Sequence, residues 1–202
     1  MIRPGIFRRL TIDGALRDVR RHWRRLAAKS WVLSRVNYRA HGLRLVGRPS
    51  DYVWYFAYGS NMHDSAFRER RRMRAVEWRA GRIVGYRLRF NLEGRPKGKA
   101  APANICPDAG AEVWGVMYRI TRRDMLRLDS TEGVPGGGYR PVGLVAEDVD
   151  GNLVPVIAYS AVGKPTDGIP SLRYMTLLRE GARAHGLPEY WLRHLDDMTH
   201  GG

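Results

Sequence analysis

The pattern that most limits the fold is an alternation: Tyr86, Leu88, Phe90 and Leu92 are separated by Arg87, Arg89 and Asn91. Successive side chains of a strand point to opposite faces, so this period of two predicts a half-buried strand with one wet face. Other apolar runs of strand length lie at Tyr52 to Tyr58, Ala101 to Ile105, Glu112 to Ile120, Tyr139 to Asp148 and Leu153 to Ala161. Turn chemistry separates them: Pro107-Asp108-Ala109-Gly110 predicts a reversal, and Asp150-Gly151 is a strong hairpin signal. Helices are predicted over Met62 to Met73, with Asn61 as N-cap and Asp64 favouring the dipole, and from a Thr121/Asp124 capping pair to about Leu128. Two more, Ser171 to His185 and Pro188 to Met198, close the chain. Six or seven strands linked mostly by short turns, with helices inserted, predict an α+β fold whose largely antiparallel sheet curls toward a small barrel.

A chain of 202 residues, 44% hydrophobic, supplies one sizeable core. No apolar run reaches the roughly 18 residues that span a bilayer, and the N-terminus lacks a secretory apolar block, so a cytoplasmic protein is expected. The lone Cys106 excludes an internal disulfide and a multi-cysteine metal site. The net charge of +15 is unevenly spread: residues 1–50 hold 13 Lys/Arg against 2 Asp. Two regions follow, a basic N-terminal extension (1–50) and a domain proper (51–202). Within the extension, Leu16, Val19, Trp23 and Leu26 form an apolar stripe among arginines, predicting an amphipathic helix from Gly14 to about Val36. Such a helix could pack on the body, lie on an anionic membrane or contact nucleic acid. Gly42, Gly47 and Pro49 mark a linker.

Several chemistries are disfavoured. Ser60 sits in Tyr-Gly-Ser-Asn-Met, without the second glycine of a nucleophile elbow. The six histidines show no paired-ligand spacing, and Gly136-Gly137-Gly138 lacks the Lys-Ser/Thr of a phosphate-binding loop. Neither a metal nor another cofactor is expected. Two features remain. The run Tyr55 to Met62 reads as a strand ending in a glycine turn whose backbone N–H groups can grip an anion or oxyanion. Glu132 lies in a glycine-rich loop, and a buried glutamate with a raised pKa can shuttle a proton when the substrate brings its own nucleophile.

Five motifs in order resemble those of the gamma-glutamylcyclotransferase family. They are Tyr58-Gly59-Ser60-Asn61-Met62; Val113-Trp114-Gly115-Val116-Met117-Tyr118; Leu128-Asp129-x-x-Glu132-Gly133-Val134 with Tyr139 beyond; Pro170-Ser171-x-x-Tyr174; and Gly181-Ala182-x-x-His185-Gly186-Leu187-Pro188. The likeness covers about residues 52 to 195 and leaves the extension outside it. It implies a mixed sheet closed toward a barrel, and cyclisation of a small γ-glutamyl amino acid or amine to 5-oxoproline with release of the amine. Glu132 would be the general acid/base. Tyr58, Gly59, Ser60, Asn61 and Met62 would form the substrate-binding loop, and Tyr139, Tyr159 and Tyr174 would surround the pocket. The alternative is a non-catalytic ligand-binding or interaction module of the same fold, tethered by its basic N-terminal arm to membrane or nucleic acid. Pro135-Gly136-Gly137-Gly138 and the short basic segment Glu93 to Lys99 set the leaving-group side apart from the family pattern.

Overall fold

The computed structural model describes residues 38, 43, 47–94, 100–134 and 137–201. Five strands, β1 (Tyr52–Ala57), β2 (Glu77–Arg89), β3 (Asn104–Thr121), β4 (Arg140–Asp148) and β5 (Leu153–Ser160), close into a barrel in the order β1-β3-β2-β4-β5. All pairings are antiparallel except the closing one, where Tyr55 of β1 meets Ile157 of β5 in parallel. The sheet is thus mixed and the fold α+β. Helices α1 (Arg122–Thr131), α2 (Leu172–Ala184) and α3 (Glu189–Asp196) flank it. Among the described residues no helix is long and apolar enough to cross a membrane.

The centre of β3 is buried on both faces, Val113 to Tyr118 without interruption. Each such side chain contributes roughly 1.5–3 kcal/mol by leaving water. Close approach of β1 to β3 needs Gly115, because a Cβ there would lie 2.3 Å from the Ala57 carbonyl oxygen. Similarly, α2 lies directly on the turn after β1 through Gly181, whose Cβ would fall 2.6 Å from the Met62 carbonyl carbon.

Local signals hold where the residues satisfy their own backbone. Thr121 accepts from the Asp124 N–H at 3.1 Å and caps α1. Ser171 caps α2 through the Tyr174 N–H. Asp148 collects the N–H groups of Asp150 and Asn152 around Gly151, whose φ of +82° makes the β4–β5 hairpin.

Elsewhere the structure departs from the expectations. Pro107-Asp108-Ala109-Gly110 does not reverse the chain: the segments before and after it pair with the same neighbour, β2, as one long strand. Tyr86 pairs with Pro107 and Val84 with Glu112, so residues 108–111 bulge opposite Gly85. That bulge merges two expected strands and lowers the count to five. Strand β2 begins at Glu77 and ends at Arg89, and Asn91 is buried instead of facing water, tied to Asn104 and the Lys164 carbonyl. Helix α1 runs on to Thr131 and stops at Gly133, whose φ of +71° supplies the left-handed turn that ends a helix. The helix expected over Met62 to Met73 is a 3₁₀ turn (Ser60–Met62) and then a π-type turn (Ser65–Arg70), and Asn61 caps neither with its side chain.

The amphipathic helix expected from Gly14 to Val36 lies outside the described residues. Of the extension, Tyr38 is fully buried, and Leu43 sits against Gly143, where a Cβ would lie 2.5 Å from its Cδ2.

Candidate active site

Strand β1 delivers a buried aromatic run to one end of the barrel, and the chain turns there at Gly59. Glycine is required by close approach, since a Cβ would stand 2.9 Å from the Tyr174 hydroxyl. The turn, the end of α1 and the start of β3 enclose a cavity of about 240 Å³. Tyr58, Gly59, Ser60 and Asn61 line it together with Glu132, Tyr139, Tyr159 and Tyr174. Met62 alone of the expected residues is not on the wall: it is fully buried, and its carbonyl accepts from the Tyr118 hydroxyl.

Glu132 takes its position from the helix end, its N–H bonding the Leu128 carbonyl at 2.8 Å as the last turn of α1. Only 11% of its side chain is exposed. Its Oε1 accepts from Asn61 Nδ2 at 2.9 Å and faces Arg71 Nη2 at 3.0 Å. Burial pushes its pKa up, and the Arg71 charge and the Asn61 hydrogen bond only partly oppose that shift. Asn61 is the hub: its Nδ2 also donates to the Tyr55 hydroxyl at 2.7 Å, while its Oδ1 accepts from Arg71 Nε at 2.6 Å. This role explains why it does not cap a helix.

The tyrosines are fixed by their hydroxyls. Tyr58 donates to the Tyr159 carbonyl at 2.5 Å, Tyr139 donates to the Ala103 carbonyl, and Tyr174 accepts from the Ala103 N–H at 3.1 Å. Burial pushes all three phenols up, so they act as neutral hydrogen-bonding groups. Tyr159 donates at 2.6 Å to Asp129 Oδ1, which also accepts from Tyr38.

Five wall residues, Tyr55, Arg70, Arg71, Pro102 and Ala103, were not among the sequence candidates, and two of them bond into the network around Asn61. Tyr55 belonged to the strand run, with no signal that its hydroxyl reaches the cavity. Arg71 lay among Arg68, Arg70 and Arg72 in a segment of helical appearance, where any arginine reads as solvated. A π-type turn aims it inward: the Arg71 N–H reaches back five residues to the Ala66 carbonyl at 3.2 Å, and Arg72 follows with a φ of +54°, rare for a residue with a Cβ. A second hollow, about 580 Å³, adjoins the first and shares Pro102, Glu132 and Tyr139 with it. Its other described walls include Leu92, Gly94, Thr131 and Gly138.

The AIG2-like family model matches residues 112–195. A gamma-glutamylcyclotransferase of Bos taurus is 30% identical over 153 residues, spanning 71% of this chain and 77% of its own. The Mus musculus gamma-glutamylcyclotransferase is 29% identical over 155 residues, 74% of this chain and 80% of its own. Among solved structures, a gamma-glutamyl cyclotransferase superposes with a TM-score of 0.69 at 25% identity, over 75% of this chain and 90% of its own. YkqA from Bacillus subtilis gives 0.64 at 25% identity, over 74% of this chain and 56% of its own. By sequence over most of both chains and by the same closed barrel, this chain belongs to the gamma-glutamylcyclotransferase family.

Proposed function

We propose that this enzyme cyclises a small γ-glutamyl amino acid or amine to 5-oxoproline, with Glu132 as the general acid/base. The observation that carries the reading is the position of Glu132 where two cavities meet. The smaller, tyrosine-lined cavity suits the γ-glutamyl moiety, and the adjoining hollow suits the amine that leaves. A proton carrier between them touches both nitrogens that exchange a proton.

The α-ammonium gives a proton to the Glu132 carboxylate, and the freed amine attacks the γ-carbonyl carbon, forming the ring C–N bond. The resulting oxyanion is held by backbone N–H groups of the Gly59–Ser60 turn. Its collapse breaks the original amide C–N bond as Glu132 protonates the leaving nitrogen, and the regenerated carboxylate then passes the second proton of the ring nitrogen to the released amine, so carboxylate, substrate and products balance without a cofactor. Proximity does much of the work, because attack within one molecule needs only a folded substrate pose. A raised Glu132 pKa suits this cycle, since the group must both accept and return a proton near neutrality.

Incubating the full chain with γ-glutamyl amino acids, γ-glutamyl amines and glutathione, and measuring 5-oxoproline, tests the reading. Release from at least one of them, and its loss in Glu132→Gln with the fold retained, is expected. Turnover by the glutamine variant at the wild-type rate would overturn the assignment of Glu132.

A further inference from the structure

The wall of the smaller cavity carries a carboxylate and a guanidinium side by side, Glu132 Oε1 and Arg71 Nη2 at 3.0 Å. Both side chains are largely shielded, 15% exposed for Arg71 and 11% for Glu132. An α-amino acid presents the reverse pattern, an ammonium and a carboxylate on one carbon with nitrogen and carboxyl carbon about 2.5 Å apart by standard geometry. We infer that Arg71 and Glu132 together form a clamp for the α-amino-acid head of the substrate, Arg71 taking the α-carboxylate and Glu132 the α-ammonium. This rests on the cyclotransferase reading above and deepens it, because it makes a free α-carboxylate a requirement of the site.

Three observations support the clamp beyond complementary charge. Guanidinium carries five N–H donors in a planar fork, and among the described residues Arg71 donates one to Asn61 and faces Glu132 as an ion pair, leaving donors for a carboxylate. Asn61 fixes the plane of that fork through Nε at 2.6 Å, so the direction of the remaining donors is set before substrate arrives. The backbone also spends an irregularity on this residue, a π-type turn followed by a left-handed Arg72, where a regular helix would carry Arg71 elsewhere. With the α-carboxylate assigned to Arg71, the Gly59–Ser60 turn is left for the γ-carbonyl oxygen. Binding then exchanges the resting Arg71–Glu132 pair for two new charge-assisted contacts, and Glu132 is drawn from its guanidinium partner toward the ammonium it must deprotonate.

The test compares γ-glutamyl-L-alanine with the same compound carrying an α-carboxamide, which keeps the nucleophilic amine and the scissile amide but has no α-carboxylate. Wild type is expected to favour the free acid by at least 100-fold in kcat/KM. Arg71→Gln, which keeps a donor for Asn61, should lose at least 100-fold on the free acid, mostly through KM, and no more than about tenfold on the α-amide. Arg71→Lys should restore part of the loss on the free acid. Equal losses on both compounds would make Arg71 a merely structural brace and overturn the clamp, as would indifference of the wild type to amidation. No 5-oxoproline from the wild type with any γ-glutamyl compound would instead overturn the cyclotransferase reading itself.

Discussion

Asp129 and Glu132 leave the same end of α1 three residues apart, the first fully buried and the second largely shielded at a cavity wall, and their surroundings differ in kind. Among the described residues Asp129 has no cation against it: two phenols, Tyr159 and Tyr38, donate to Oδ1, and Oδ2 has no partner. Burial pushes its pKa up to about 7, with the two hydroxyls opposing and the neighbouring Glu132 charge adding to the rise. Glu132 is also raised by burial, but it is braced by a guanidinium and an amide and lies on the cavity wall. A perturbed pKa alone would select Asp129 as the catalytic group. We propose Glu132 instead, because a proton carrier must reach the reacting nitrogens, and Glu132 lines the cavity whereas Asp129 lies behind Tyr159. Burial shifts both carboxyls, but phenols tie Asp129 into the core, whereas a guanidinium and an amide hold Glu132 at the cavity wall.

The comparison can be broken most sharply by removing each acid without changing its shape. Glu132→Gln should lower kcat for 5-oxoproline release by about 10³-fold, the scale of a lost general acid/base, with thermal unfolding near wild type. Asp129→Asn should act on stability. A carboxyl whose folded pKa is raised binds more protons folded than unfolded, so its contribution falls as pH rises from about 4 to about 7. Replacing it by asparagine should flatten the pH dependence of denaturant unfolding across that window, by at most about 4 kcal/mol between its ends. An unchanged slope would mean that Asp129 is not held in this state. Tyr38→Phe should give the smallest effect, a loss of about 1 kcal/mol in unfolding free energy for one hydrogen bond, with catalysis intact. A larger effect on catalysis than on stability would place the extension closer to the chemistry than its contact with Asp129 implies.

Legibility from sequence tracked how local the physics is. Thr121, Ser171 and Gly151 act on backbone groups a few residues away, and their roles are readable because the partner is in view of the motif. Pro107-Asp108-Ala109-Gly110 announced a break in the ladder, but whether a break becomes a reversal or a bulge depends on which strand lies opposite, and β2 is about twenty residues upstream. The site divides the same way. The family resemblance pointed to Glu132, the Gly59 turn and three tyrosines, and the fold brings those segments to one cavity. Arg71 was invisible because an arginine among arginines carries no mark of the π-type turn that aims it inward. Tyr38 was hidden for a different reason: its acceptor, Asp129, is 91 residues away.

The pH profile of kcat/KM for 5-oxoproline release separates Glu132, the proposed proton carrier, from Asp129. Wild type should show an acidic limb that reports deprotonation of Glu132. Asp129→Asn should keep that limb in place, because burial, the Arg71 charge and the Asn61 hydrogen bond set the Glu132 pKa, while a carboxyl raised to about 7 is already neutral in acid. A limb that vanishes in Asp129→Asn, with Glu132→Gln still active, would overturn the assignment of Glu132.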